Sequence, residues 1–556
     1  MKKFLLFIAL ISLMGFANAQ TYVSGFINAN TTWNLGGSPY IVTGNALLSH
    51  GYTLTINPGV VIKFDTATAL QIDGELIAIG TPTNRITFTS NKSVPQWGDW
   101  AELHFSDTCT DAVFDSFGNY ISGCIMKNCD VLYGGGLNIA EIRIESSSPY
   151  ISRCNIMYSY NDGIDCIGSS YILDSSAVKN CWGYGLLFSD IFQNSYRLKI
   201  NGDTIENTYT SGISIGNAGN CLISITNNYF ISNNGDAIYG GSLSNTLIAD
   251  NYFINNIGFA GIISIDGIGL DDTIKCNKFM NNAGYSYCIC GEVYNGMVIN
   301  NIFKDNSLVR NLIYLSYYPG GDLFFSNNYF ANNSIGSLWN CCYFDDEMTG
   351  PSTPILHIDH NTFINNTGAS VLFITGPQMS NMSINFLNFK YNSFSDPGAQ
   401  YELYDDIPYG SPNIYADSNY WGSTSTSHID SVIYDYFENA NLSVVYYSPI
   451  LEESPAIDTT CPPNIISGIK YQEPVTNFNI FPNPATSNLT VETTQQVTIE
   501  IFNIQGQLIK TLPPCGEAGA TTGNKTNIDV SAFPSGVYIV QVKSEKDYKV
   551  GKFVKE

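Results

Sequence analysis

Charge is what this 556-residue chain has least of. Asp, Glu, Lys and Arg make up 13% of it, about half the share of an average globular protein. Lys and Arg number 24 against 48 Asp and Glu, for a formal net charge of −24. So few cations exclude nucleic acid and an anionic membrane surface as partners, because both demand a basic face. Beyond the amino terminus no apolar run is long enough to cross a bilayer, so no transmembrane segment is expected. Histidine is scarcer still, with five residues. A Ser-His-Asp arrangement, a P-loop and a dinucleotide fingerprint are all missing. Disorder is excluded by what is present: 44% hydrophobic residues, including 36 Tyr and 31 Phe.

Residues 1–19 read as a secretory signal peptide. Lys2 and Lys3 form the positive region, Phe4 to Phe16 the apolar region, and Ala17-Asn18-Ala19 a cleavage site before Gln20. From Gln472 onward acids and bases nearly cancel, so the body before it holds 15 basic and 40 acidic residues. All 14 Cys follow the signal peptide. Export permits disulfides and the even count permits full pairing, while buried free thiols fit a stacked core equally well. Cys288-x-Cys290 and Cys341-Cys342 lack the two-residue gap of a zinc knuckle.

A short phrase recurs through the body, as in Asn227-Asn228-Tyr229-Phe230 and Asn327-Asn328-Tyr329-Phe330. Alignment on its last residue gives twelve slots: Met126, Ile156, Ala177, Ile205, Phe230, Phe253, Phe279, Phe303, Phe330, Phe363, Phe394 and Trp421. Five residues before each stands an apolar residue, from Ile121, Ile151 and Ile172 to Ala416. Two residues before each stand Cys124, Cys154, Ser175, Asp203 and then Asn228, Asn251, Asn277, Asn301, Asn328, Asn361, Asn392 and Asn419. One coil per repeat would stack equal positions about 4.8 Å apart, the strand spacing. Apolar slots then form interior rows, and the eight Asn a ladder of side-chain hydrogen bonds. Clusters such as Asn233-Asn234-Gly235 and Asn281-Asn282-Ala283-Gly284 suit turns with left-handed backbone.

The pattern resembles the right-handed parallel β-helix of pectate-lyase-like proteins, where an asparagine ladder lines a turn. The stretch Leu54 to Phe64, followed by Leu76 to Thr81 and Ile86 to Ser90, is similar to the first coils of that family. The expected fold is all-β: a right-handed parallel β-helix over 20–450, a linker over 451–476 and a small immunoglobulin-like β-sandwich over 477–556. That last segment holds Phe481-Pro482-Asn483-Pro484, Ile499 to Gln507 with Gly506, and Ile528 to Val540 with Gly536 and Tyr538. These phrases resemble the type A sorting domain of the type IX secretion system of Bacteroidota. The resemblance implies that machinery as a partner and a secreted or outer-surface location, after signal-peptide export to the periplasm.

Chemistry is harder to find. A Ca²⁺-dependent lyase needs clustered carboxylates and a cation as base. Asp162 with Asp165, Asp271-Asp272, Asp345-Asp346-Glu347 and Asp405-Asp406 supply acids that make Ca²⁺ binding plausible without locating a site. Arg153, Lys179, Arg197 and Lys199 are the one basic cluster on neighbouring coils. Arg197-Leu198-Lys199 is a fragment of the polygalacturonase pattern, whose Gly-His-Gly is absent. His357 and Asp359 should project outward on one strand, without an identifiable third metal ligand. Tyr229, Tyr252, Tyr329 and Tyr420 share an outward position suited to sugar rings. No residue is assigned a catalytic or metal role. The preferred reading is a glycan-binding or adhesive protein; the alternative is a polysaccharide lyase or glycoside hydrolase.

Overall fold

The computed structural model describes residues 20–456 apart from 116–117, 138–139, 191–196, 217–220, 242, 244, 269–271, 286, 294, 318–320, 347–355 and 377–386, and in the tail 479–493, 498–503, 508–512, 524–543 and 548–555. It divides into two compact units, residues 1–465 and 466–556. Ala19 and Gly506 lie outside the described residues.

In the first unit each coil lays down short strands on three faces. One coil has Thr246–Ala249 on the first face, Tyr252–Ile254 on the second and Gly261–Ile268 on the third. Each strand pairs in parallel with its counterparts one coil before and one coil after. Thus Ile225, Ile248 and Ile274 align on the first face, Phe230, Phe253 and Phe279 on the second, and Ile238, Ile263 and Ile289 on the third. The first face is a 14-stranded sheet; the long strands Thr21–Ile27 and Tyr40–Leu48 help join the other two into one of 29 strands. The first unit is therefore a parallel β-solenoid, with almost no helix among its described residues.

Inward positions carry bulky apolar side chains because nothing else fills the space between three faces. Phe230, Phe253, Phe279, Phe303, Phe330, Phe363, Phe394 and Trp421 are fully buried and stack ring on ring at 4.6–5.3 Å. Each such ring contributes about 1.5–3 kcal/mol through burial.

Buried Asn side chains turn the corner between the first and second faces. The main-chain N–H and the Nδ2 of Asn251 both donate to Oδ1 of Asn277 at 3.0 Å, and Nδ2 donates again to the carbonyl of Ile225 at 2.8 Å. The same set repeats from Asn228 toward Asn419. A second buried ladder follows five residues later, from Asn233 through Asn256, Asn282, Asn306, Asn333 and Asn366 to Asp396. The residue before each Asn of the two ladders takes left-handed φ, as at Asp250 (+57°), Asn255 (+55°) and Asn281 (+54°). Asn233 and Asn282 are therefore ladder members, and the left-handed turn residues beside them are Ser232 and Asn281.

Two coils sit in a different register from the sequence alignment. Met126 belongs to the first face, paired with Ala78 and Ile151; the second-face slot of its coil is Val131, aligned with Ile156. Ile121 is exposed rather than interior. Cys124 and Cys129 are five residues apart, like the apolar rows, and it is Cys129 that stands two residues before the slot residue Val131. Two coils on, Leu173, Ser176 and Val178 replace Ile172, Ser175 and Ala177: Leu173 aligns with Ile151, Val178 with Ile156, and Ser176 Oγ accepts from Cys154 N–H. Ile172 and Leu173 are both apolar, which permits that slip.

Among the described residues ten cysteines are buried thiols, Cys290 is half-buried, and Cys276 is disulfide-bonded. Cys461 and Cys515 lie outside the described residues.

The tail unit contains an antiparallel three-stranded sheet and an antiparallel four-stranded sheet. Leu489, Val491, Ile501, Val540 and Phe553 share its core. Asn483 clips the last strand, accepting from Val554 N–H at 2.9 Å and donating to the carbonyl of Lys552 at 3.2 Å. Tyr538 stacks on Phe553 and donates to the carbonyl of Pro534 at 2.8 Å. Lys525 lies over the ring of Phe481.

Candidate functional site

Third-face strands alternate inward and outward residues. One outward position carries His104, Arg143 and Asp165 on successive coils. Glu145 accepts from Arg143 at 3.1 Å and meets His104 Nε2 at 2.9 Å. Asp165 is 2% exposed, and its Oδ1 has no hydrogen-bond partner. Burial pushes its pKa up to about 6; Arg143 opposes the rise, while Glu102 and Glu145 add to it.

Farther along, the same outward position becomes aromatic. Tyr314, Tyr343, Phe373, Tyr404 and Tyr434 align on five coils with ring centroids 5.3, 4.9, 4.8 and 4.3 Å apart. Rings stacked at this spacing cover one another's faces and turn their edges outward. Tyr314 donates to Asp345 at 2.9 Å, and Thr375 donates to the other oxygen of that carboxylate at 3.0 Å.

Beside the start of this column opens a cleft of about 710 Å³, lined by Phe259, Tyr285, Tyr287, Glu292, Arg310 and Tyr314 among others. Here the rings stand out into solvent: Phe259 is 87% exposed and Tyr285 61%. Both stand in the corner after the second Asn ladder, three residues past Asn256 and Asn282. The Arg310 guanidinium lies 5.0 Å from the Tyr285 ring and 5.4 Å from that of Trp339. Hydrogen bonds to the hydroxyls of Tyr287 and Tyr285 raise its pKa further. A concave, aromatic wall with one acid and one pinned cation suits a ligand that has both apolar faces and hydroxyl groups.

The residues singled out from the sequence are scattered. Lys179 lies on the second face and pairs with Glu206 at 2.7 Å, Arg197 and Lys199 lie on the first face, and Arg153 occupies a left-handed corner at φ +54°. The four therefore form no cluster. Tyr229 and Tyr252 stack at 4.9 Å, but Lys278 and Ile302 separate them from Tyr329, and Thr362 and Ser393 separate Tyr329 from Tyr420, so that row is broken. His357 stacks on Phe324 at 4.3 Å, and Asp359 accepts from Ser326 at 2.9 Å and contacts His360 at 2.8 Å. Among the described residues, no group of three or more His, Cys, Asp or Glu side chains is placed to hold a metal ion. Asp271 and the segment 347–355 lie outside the described residues. Sequence reasoning missed Phe259, Tyr285, Arg310 and Trp339; the signal was bulky apolar residues inside turns otherwise built of Asn, Ser and Gly.

Comparison with known proteins adds two matches along the chain. Residues 479–556 match the family described as a secretion system C-terminal sorting domain, and residues 25–138 match the pectate-lyase like beta helix domain. Protein bark beetle of Drosophila melanogaster is 40% identical over 60 residues, which is 11% of this chain and 2% of that protein. Among solved structures, tailspike protein 2 of Escherichia coli O157:H7 bacteriophage CAB120 is 9% identical over 92% of this chain and 59% of its own, with a TM-score of 0.19. The tailspike of Acinetobacter baumannii bacteriophage Fri1, a capsular polysaccharide depolymerase, is 9% identical over 89% of this chain and 73% of its own, with a TM-score of 0.20. Likenesses this low carry no argument about activity.

Proposed function

For a chain that joins a pectate-lyase-like β-helix to a secretion system C-terminal sorting domain, we propose a glycan-binding or adhesive protein, exported by the type IX secretion system and acting outside the cell. The observation that carries the reading is the open cleft of Phe259, Tyr285, Tyr287, Glu292, Arg310 and Tyr314. Aromatic faces take the C–H faces of sugar rings at low cost in side-chain entropy, while the acid and the guanidinium take hydroxyls. The signal peptide ending at Ala19 is part of this proposal, as the route to the periplasm.

A second reading, a polysaccharide lyase or hydrolase, draws on one group. Asp165, with a pKa near 6 beside Arg143, has the proton affinity of a general acid. One experiment separates the two. The mature protein is passed over immobilised plant, algal and host polysaccharides, and new reducing or unsaturated ends are measured. Retention without cleavage, weakened about tenfold by Phe259→Ala with Tyr285→Ala, is the expected result. Cleavage that disappears in Asp165→Asn would replace binding by catalysis.

A further inference from the structure

The cleft is one part of something longer. At the same corner, one residue past the second ladder position, successive coils present Tyr160, Trp182, Tyr209, Asn234 and Ile257, held in register by main-chain bonds such as Trp182 N–H to Ser159 and Ile257 N–H to Asn233. Phe259, Tyr285 and Val309 follow, and then Leu338 and Trp339. All of these but Asn234 are large apolar residues exposed to solvent, Leu338 by 86%. Trp182 and Tyr209 stack at 4.8 Å. The strip covers eight coils with one or two side chains from each, roughly 34 Å at one strand spacing per coil.

We propose that this strip, from Tyr160 to Trp339, is the binding track for an extended, uncharged polysaccharide. The inference rests on the glycan reading above and narrows it. Three observations select the occupant. A folded protein partner is held by a two-dimensional patch of some 800 Å² per side, whereas this surface offers one or two side chains per coil and follows the solenoid axis. The coil spacing is close to the advance of one sugar unit along an extended chain, so successive rings can meet successive residues of a polymer. Charge argues against a polyanion: 40 acids face 15 bases in the body. The cations near the strip are engaged, Lys179 by Glu206, Lys304 by Asp305 at 3.9 Å, and Arg310 by its tyrosines. Asn234, Ser307 and Ser334 supply neutral hydrogen-bonding groups along the same corner.

The test uses the mature full-length chain and size-graded oligomers of cellulose, β-1,3-glucan, xylan and mannan, with polygalacturonate and alginate as anionic counterparts. Affinity for at least one neutral series should rise about thirtyfold or more from trimer to octamer. Trp182 stands four coils from Tyr285, so Trp182→Ala should weaken the octamer about tenfold while leaving the trimer unchanged, and the milder Tyr209→Ala should act in the same sense. Binding should change less than about twofold when salt is raised to about 1 M. A neutral oligomer that binds as tightly at three units as at eight, or ignores both substitutions, overturns the track while the glycan reading stands. Salt-sensitive binding of the anionic polymers alone overturns the uncharged ligand. Retention of no glycan overturns the glycan reading and the track with it.

Discussion

Asp405 is a carboxylic acid held out of reach of water, accepting from Ile407 N–H at 2.8 Å and from Ser443 Oγ at 2.6 Å. Burial is the main reason its pKa is pushed up to about 7; the two hydrogen bonds pull it back, while Asp435 and Asp406 raise it further. Asp162 reaches about 7 in the same way. In the unfolded chain such a group ionises near pH 4. Between pH 4 and 7 the folded state therefore holds a proton that the unfolded state has lost, and stability falls as pH rises through that window. The displacement is worth about 1.4 kcal/mol per pH unit. Melting temperature should accordingly be highest near pH 4 and decline toward pH 7. Asp405→Asn keeps an acceptor for Ile407 and needs no proton, so it should flatten this decline, gaining most over the parent at neutral pH. Equal slopes for parent and variant in a calorimetric series would refute the assignment.

At the scale of elements, the ladders decide which side chains the chain tolerates. Asn277 Oδ1 is the shared acceptor for two buried donors of Asn251. Asn277→Ala strands both, at about 1–3 kcal/mol each, so urea unfolding should show a loss several times that of an exposed Asn→Ala change. Asn277→Asp restores the acceptor but sets a carboxylate against Oδ1 of Asn301, and its penalty should shrink as the pH is lowered to about 4. The last position of the second ladder already shows where a carboxylate belongs: Asp396 accepts from Asn366 N–H at 2.6 Å and from its Nδ2 at 2.8 Å. The solenoid was legible because Asn-x-Phe returns coil after coil with one chemistry per position. Legibility failed where chemistry was shared. Cys124 and Cys129 mimic each other at a spacing of five, and Asn233 in a polar turn looks like a left-handed residue when it is a buried rung. The cleft was invisible for another reason. Phe259 and Tyr285 stand three residues past a buried rung but Trp339 stands six past Asn333, and the coils between carry other residues there, so no period announces them and only the coiling brings them to one corner.

For the whole molecule, two cores imply two independent units. Trp33 to Val445 form one continuous hydrophobic cluster, and Ala485 to Phe553 form another. A solenoid's stability is close to a sum over coils and their nearest-neighbour interfaces, so the tail should contribute nothing to the coils. The acidity is divided just as unevenly: from Gln472 onward, 7 Lys stand against 8 acids. A chain cut after Ile465 keeps the first core whole and should then melt within about a degree of the mature full-length protein. Its fate in the cell should differ. The sorting match occupies residues 479–556, so the cut chain should remain in the periplasm while the full chain appears outside. Calorimetry and fractionation of the two chains read these effects separately. A melting temperature lowered by several degrees would mean that the tail braces the coils, and an exported cut chain would mean that the address lies in the solenoid. Unchanged melting together with lost export is the outcome that two separate cores require.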